Sequence, residues 1–131
     1  MKVFLDTNVL IYAFEDIWKA DIADRLMAEP FVVGVQTLNE FANVAIRKLR
    51  MTLTDVYLAL DRIEGLATTM PPTELSDLRA GLDIAQRYRL SIFDALMLAI
   101  ALRAGCTVFY SEDMHHGLVI EGQLTIANPF L

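Results

Sequence analysis

The sequence lacks several features that define whole classes of protein. It has one cysteine, Cys106, in 131 residues, so it forms no intramolecular disulfide and holds no cysteine-rich zinc site. Its longest apolar run, Ala95–Leu102, is much shorter than the roughly 18 residues of a membrane-spanning helix. The apolar stretch after Lys2 ends at Asp6, too early for a secretory signal. These absences predict a protein of the cytoplasm with no membrane segment.

Basic residues are also scarce. The chain has 11 Lys and Arg against 17 Asp and Glu, a formal net charge of −6. A protein that binds nucleic acid mainly through bulk charge has a basic face instead. Either the partner is not a polyanion, or metal cations and a local basic patch compensate. Two small basic clusters, Arg47-Lys48-Leu49-Arg50 and Arg87-Tyr88-Arg89, are either contacts for such a partner or solvated helix ends.

No repeat, low-complexity tract or Gly/Ser linker divides the chain. The densest helix-breaking site, Pro71-Pro72, predicts a turn within one domain. With 131 residues, 55% of them hydrophobic, the sequence predicts a single domain over residues 1–131 that can bury a core.

Short β-rich runs alternate with longer runs of helical periodicity. The predicted strands are Lys2–Leu5, Phe31–Val35, Thr107–Tyr110 and, more weakly, Leu66–Thr69, with one or two short edge strands in Leu118–Ile126. The predicted helices are Val9–Phe14, Thr37–Arg50, Thr54–Glu64, Glu74–Tyr88 and Ile92–Ala104. This alternation predicts an α/β fold, a three-layer α/β/α sandwich around a mainly parallel sheet.

Carboxylates stand after three of the predicted strands. Asp6 ends the first strand, Glu40 follows the second and Asp113 follows the strand Thr107–Tyr110. A fourth, Asp94, is the only charged residue between Ile92 and Leu102, where an unpaired carboxylate is costly. Ligands of such sheets bind beyond the carboxyl ends of the strands, so these positions predict a site at one edge.

Each of these acids also has a purely structural interpretation. Asp6 is a good helix N-cap, Thr37-x-x-Glu40 has the pattern of a capping box, and Ser91-x-x-Asp94 has a poorer version of it. In Ser111-Glu112-Asp113, the last acid lies in an ordinary turn sequence, and Glu112 is an alternative fourth member of the site.

The acids are more informative together than singly. Two carboxylates about 4 Å apart repel by roughly 4 kcal/mol at an effective dielectric of 20, and no Lys or Arg lies within two residues of any of the four. Oxygen ligands suit Mg²⁺ or Mn²⁺ better than zinc. We therefore expect Asp6, Glu40 and Asp94 to lie within common reach of a divalent cation.

Four segments resemble the PIN domain, and more narrowly the VapC-type toxins of bacterial toxin–antitoxin pairs. The segments occur in the family's order along most of the chain and are Val3–Ile11, Thr37–Phe41, Leu90–Leu96 and Tyr110–Met114.

The resemblance implies an endoribonuclease that depends on Mg²⁺ or Mn²⁺ and cleaves RNA phosphodiesters with a metal-activated water. It assigns the catalytic and metal-binding roles to Asp6, Glu40, Asp94 and Asp113, with Thr7, Asn8 and Ser111 as supporting polar groups. It further implies a homodimer and a cognate antitoxin that occupies the acidic cleft.

Two other functions remain open at this stage. The segment Phe4–Leu10 is similar to the first loop of haloacid-dehalogenase-like phosphatases, although Asn8 stands where that family has a second Asp. A PIN-like interaction module that binds a partner without cutting RNA is the other alternative.

Overall fold

The computed structural model describes residues 1–131 and contains six helices and four short strands. In chain order these are β1 Val3–Leu5, α1 Thr7–Tyr12, α2 Lys19–Ala28, α3 Val35–Arg47, α4 Leu53–Leu66, α5 Leu75–Tyr88, α6 Ile92–Arg103, β2 Val108–Tyr110, β3 Val119–Ile120 and β4 Leu124–Ala127.

The sheet has the order β1-β2-β4-β3, and only the β3–β4 pair is antiparallel. Isolated parallel bridges from Phe4 to Val32 and from Val32 to Thr69 continue it beyond β1. The mainly parallel sheet predicted from the sequence is therefore confirmed. Of the two strands in the predicted edge region, β3 does lie at the edge, whereas β4 lies inside the sheet between β2 and β3.

Alternate residues of each strand face opposite layers of helices. Phe4 and Phe109 stack with their ring centroids 5.1 Å apart in a core shared with α5 and α6. Their neighbours Val3 and Leu5 belong to the opposite core, which α1 to α4 cover. These two cores confirm the three-layer sandwich.

Two predicted strands are shorter than the sequence pattern indicates. Of Phe31–Val35 only Val32 forms bridges, because helix α3 already begins at Val35. Of Leu66–Thr69 only Thr69 bridges, because Leu66 is the last residue of α4. Buried apolar residues give the same sequence pattern whether they belong to a strand or to the end of a helix. This is why both strands were predicted too long.

The capping box predicted for Thr37 and Glu40 is wrong. Gly34 is the N-cap of α3 and makes no side-chain capping bond. Thr37 is instead fully buried inside the helix, and its hydroxyl donates to Met97 Sδ of α6 at 3.4 Å. Glu40 thus lies in the second turn of α3, and its carboxylate is not used for capping.

Helix α2, Lys19–Ala28, was not predicted from the sequence. It buries only Ala23 and Met27, so its apolar stripe is too narrow to give a clear helical period. This helix matters for the site because its first residue is Lys19.

Helices α5 and α6 pack unusually closely. A Cβ added to Gly81 would lie 3.2 Å from the backbone of Leu96. At the other end of the pair, the Arg103 guanidinium donates to both oxygens of buried Asp77, at 2.8 and 2.9 Å. These contacts determine where α6, and with it Asp94, sits against the sheet. None of the helices has both the length and the apolar character needed to cross a membrane.

Candidate active site

The parallel pairing of β1 and β2 brings Asp6 and Ser111 together. Leu5 pairs with Tyr110 in the sheet, so the next residue of each strand leaves the same edge. The Asp6 N–H donates to Tyr110 O at 3.0 Å, and Ser111 Oγ donates to Asp6 Oδ2 at 2.8 Å. Both side chains are buried, so the Asp6 carboxylate has a well-defined position.

Asp6 is also the N-cap of α1, which confirms the capping role that the sequence offered for this residue. Its Oδ1 accepts from the Thr7 N–H at 2.7 Å. The Thr7 hydroxyl in turn donates to Glu40 Oε2 of α3 at 3.1 Å. Capping and participation in the acidic cluster are therefore compatible, because different oxygens of Asp6 serve the two purposes.

The side-chain amide of Asn8 connects the first and the last acid of the cluster. Its Nδ2 lies 3.3 Å from Asp6 Oδ2 and 3.1 Å from Asp113 Oδ2. Its Oδ1 accepts from the backbone N–H of Glu112 at 3.2 Å. Asn8 thus holds the turn after β2 against the start of α1, and an acid at this position would instead add to the repulsion.

The structure places Asp113, and not Glu112, at the acidic cluster. The Glu112 carboxylate forms an ion pair with Lys19 Nζ at 2.7 Å. That ammonium also lies over the rings of Tyr12, Trp18 and Phe130, at 4.6, 5.7 and 5.5 Å from their centroids. Glu112 therefore has its own counter-ion.

Asp94 enters the cluster from the first turn of α6. Ser91 is the N-cap, and its Oγ accepts from the Asp94 N–H at 3.2 Å. The reciprocal bond of a capping box is absent, so the predicted poorer box is only half formed. The half-buried Asp94 carboxylate is thus not used to cap its own helix.

The four predicted acids line one pocket of ≈ 360 Å³. Its other lining residues are Thr7, Asn8, Ile11, Tyr12, Glu15, Val44 and Lys48. A larger hollow of ≈ 740 Å³ lies elsewhere, between α5, α6 and Glu121. Among the polar residues of that hollow, Arg87 and Glu121 already pair with each other at 2.8 Å. The smaller pocket instead gathers unpaired acids at the carboxyl edge of the sheet, which makes it the better candidate site.

Three carboxylates of the pocket, those of Asp6, Glu40 and Asp94, have a pKa above the ordinary value. Burial, reinforced by the charges of Asp94 and Glu40, raises the pKa of Asp6 to about 6, against the opposing effect of the Ser111 and Thr7 hydrogen bonds. Burial also raises the pKa of Glu40, with a contribution from Asp94, and that of Asp94, with a contribution from Asp113. Perturbation of this kind is common at functional sites.

The donor set matches a hard divalent cation, but the side chains are not already arranged around one. All four acids offer oxygen ligands, and none of them forms an ion pair within 4.0 Å. Yet no group of three or more His, Cys, Asp and Glu side chains stands in a metal-holding arrangement. The three expected ligands, Asp6, Glu40 and Asp94, thus share one pocket but do not surround a common cation position. Ser111, Thr7 and Asn8 donate hydrogen bonds to Asp6, Glu40 and Asp113, respectively.

Sequence reasoning missed two members of the pocket, Tyr12 and Glu15. Both follow Asp6 at the end of α1 and in the turn beyond it. Their signal was weak because neither lies directly after a strand. The sequence did single out Lys48, but only as one of several residues in a basic cluster.

Comparison with known families agrees with this geometry. A family model described as the PIN domain matches residues 3–117. The chain belongs to the PIN domain family. The match includes all four acids of the pocket as well as Thr7, Asn8 and Ser111. No curated protein sequence matches this PIN domain.

Solved structures share the fold of this PIN domain at low sequence identity. A toxin–antitoxin complex from Klebsiella pneumoniae is 20% identical with a TM-score of 0.72, and the match covers 97% of each chain. Mycobacterium tuberculosis VapC20, described as a toxin that cleaves the sarcin-ricin loop, is 16% identical with a TM-score of 0.69, over 85% of this chain and 91% of its own. FitAcB from Neisseria gonorrhoeae is 16% identical with a TM-score of 0.66, over 98% of each chain.

Proposed function

We propose that this PIN domain is a divalent-metal-dependent endoribonuclease and the toxin of a VapBC-type toxin–antitoxin pair. The observation that carries the proposal is the pocket at the carboxyl edge of the sheet, where Asp6, Glu40, Asp94 and Asp113 meet without a paired cation. Carboxylates in this number repel one another at neutral pH, and bound divalent cations would offset that repulsion.

Asp6, Glu40, Asp94 and Asp113 would hold Mg²⁺ or Mn²⁺ in this proposal. The chemistry supplied by such a cation is charge stabilisation at the phosphate and a lowered pKa of water. The protein contributes position. Ser111 orients Asp6, Thr7 orients Glu40 and Asn8 orients Asp113 through the hydrogen bonds described above.

The half-buried carboxylates of Glu40 and Asp94 are suited to orient an attacking water and to accept its proton. Neither carboxylate pairs with a Lys or Arg side chain, so an oxygen that is not bound to the cation would be available as a general base. Cleavage then leaves a 5′-phosphate and a 3′-hydroxyl.

An antitoxin protein is the proposed partner. The support is the fold shared with VapC20 and with the Klebsiella toxin–antitoxin complex, together with an acidic pocket that attracts a cationic peptide segment. We place both partners in the cytoplasm.

A homodimer is also part of the proposal. Leu75, Leu78 and Leu82 form a stripe along α5 and are 68%, 40% and 53% exposed. Burial of this stripe against a second copy would remove a continuous apolar surface from water. Sedimentation of the purified protein tests it, and a monomer would contradict this part of the proposal.

The decisive experiment compares wild type, Asp94→Asn and Asp61→Asn on single-stranded RNA. Asp61 lies exposed on α4 and pairs with no cation, so its variant makes the same chemical change outside the pocket. We expect wild type and Asp61→Asn to cleave RNA in Mg²⁺ or Mn²⁺ and to stop in EDTA. The cleavage rate of Asp94→Asn should fall by more than the roughly 10–100-fold that is typical when a group supporting a metal ligand is removed. Its far-UV circular dichroism should be unchanged.

Retained cleavage by Asp94→Asn, or cleavage by wild type in EDTA, would overturn the proposed mechanism. The two alternative functions have their own signatures. An interaction module predicts no cleavage by wild type and no binding of Mn²⁺. A phosphatase predicts a phosphorylated Asp6, and PIN family membership counts against it.

A further inference from the structure

The acidic pocket has one cation in its wall, Lys48. Five carboxylates line the pocket, those of Asp6, Glu15, Glu40, Asp94 and Asp113, and Lys48 is the only basic residue among its lining residues. Lys48 lies within 4.0 Å of no carboxylate. Its ammonium is thus free to pair with something that enters the pocket.

Helix α3 determines where the backbone of Lys48 stands relative to Glu40. Glu40, Val44 and Lys48 all line the pocket and are spaced four residues apart, so they share one face of the helix. At 1.5 Å per residue, Lys48 begins about 12 Å along the helix axis from Glu40. The Lys48 N–H donates to Val44 O at 2.8 Å, so the backbone of Lys48 is still anchored by the helix.

A helix-dipole explanation alone does not account for Lys48. Basic residues are favourable at any helix C-terminus, and adjacent Arg47 satisfies that preference equally. Arg47 is exposed but does not line the pocket. In the other basic cluster Arg87 pairs with Glu121 at 2.8 Å, and neither Arg87 nor Arg89 lines the acidic pocket.

We propose that Lys48 binds a backbone phosphate next to the scissile one and so guides single-stranded RNA across the pocket. This inference rests on the proposed nuclease function. A polyanion that approaches five carboxylates is repelled beside the cleavage point as well as at it, and cations at the acids would offset the repulsion only at the centre. Lys48 supplies positive charge in the wall of the pocket, two helical turns along α3 from Glu40.

Salt dependence of RNA binding tests this assignment. The probe is a fluorescein-labelled single-stranded RNA of mixed sequence, bound to Asp94→Asn protein with Mg²⁺ present so that it is not cut. Lys48→Gln in the Asp94→Asn background should weaken RNA binding by about fivefold in 50 mM salt and by about twofold in 200 mM salt. The effect shrinks with salt because one phosphate contact to a single strand contributes about 0.7 to the slope of log K against log salt concentration. Arg47→Gln, the matched control one residue away, should leave the slope unchanged.

Kinetics of the cleaving enzyme give a second readout. Lys48→Gln alone should raise KM more than it lowers kcat, and Lys48→Arg should restore KM. An unchanged salt slope for Lys48→Gln, or an equal fall for Arg47→Gln, overturns the inference. If wild type cleaves RNA through Asp94 while Lys48→Gln binds and cleaves normally, only this inference fails; if wild type does not cleave RNA, the proposed function itself fails.

Discussion

Lys19 and Glu112 form an ion pair that links the start of α2 to the turn after β2. Lys19 Nζ lies 2.7 and 2.8 Å from the two oxygens of Glu112, under partial burial of both side chains, 20% and 26% exposed. Because the pair neutralises Glu112, the adjacent Asp113 is the acid of this turn that faces the pocket. An interaction across 93 residues of sequence thus selects between two neighbouring acids.

Exchange of each acid for its amide should separate their roles. We expect Asp113→Asn to lower RNA cleavage by at least about tenfold, the low end of the cost of losing a group around a metal. Glu112→Gln should cleave RNA at a rate similar to that of wild type. It should lose less than about 1 kcal/mol of stability, because a partly exposed ion pair usually contributes no more than that. Initial cleavage rates and urea unfolding of both variants provide the measurement. A larger loss of cleavage in Glu112→Gln than in Asp113→Asn would reverse the assignment.

The raised pKa of Asp6 should make the metal-free protein less stable as pH rises. Folding raises that pKa from 3.8 to about 6, so the folded protein binds the proton more tightly than the unfolded chain does. The stabilising contribution is therefore fully present below about pH 4 and is lost as the pH rises through 6. Asp6→Asn removes this charge, and its stability relative to wild type should increase by about 1 kcal/mol between pH 5 and pH 8.

Urea unfolding in EDTA at both pH values measures this difference. Asp61→Asn is again the control, because an exposed acid should show no comparable pH dependence. A stability difference between Asp6→Asn and wild type that stays constant with pH would mean that Asp6 ionises normally in the fold.

Gly81 and Gly65 should respond in opposite ways to an added methyl group. At Gly81 the new Cβ meets the Leu96 backbone at 3.2 Å, whereas at Gly65 nothing lies within 4 Å. We expect Gly81→Ala to destabilise the protein by about 1–3 kcal/mol through overpacking of α5 against α6. Gly65→Ala should stabilise it by up to about 1 kcal/mol through helix propensity. Thermal and urea unfolding test both, and a neutral Gly81→Ala would show that α6 can move away without cost.

Much of the architecture was predictable because it depends on local patterns. The apolar α6 and the strands β1 and β2 have compositions that only a buried layer accommodates, and their predicted positions agree with the structure within a residue or two. Boundaries were predicted less well where tertiary contacts override local preference. Thr37 is the clearest case, because its hydroxyl has a partner on α6 rather than at the start of its own helix.

The amino-acid sequence by itself determined the layers of the sandwich and the placing of Asp6 and Asp113 after parallel strands at one edge of the sheet. The alternation of strands with helices and the chirality of parallel connections leave few other arrangements. Only the tertiary structure decided that Glu112 pairs with Lys19, that Asn8 joins Asp6 to Asp113, and that Lys48 rather than Arg47 faces the acids. Those outcomes depend on distances between residues far apart in the chain and on the rotation of each helix about its axis. Neither quantity is encoded in any short stretch of residues, because both are set by how complete helices pack against the sheet.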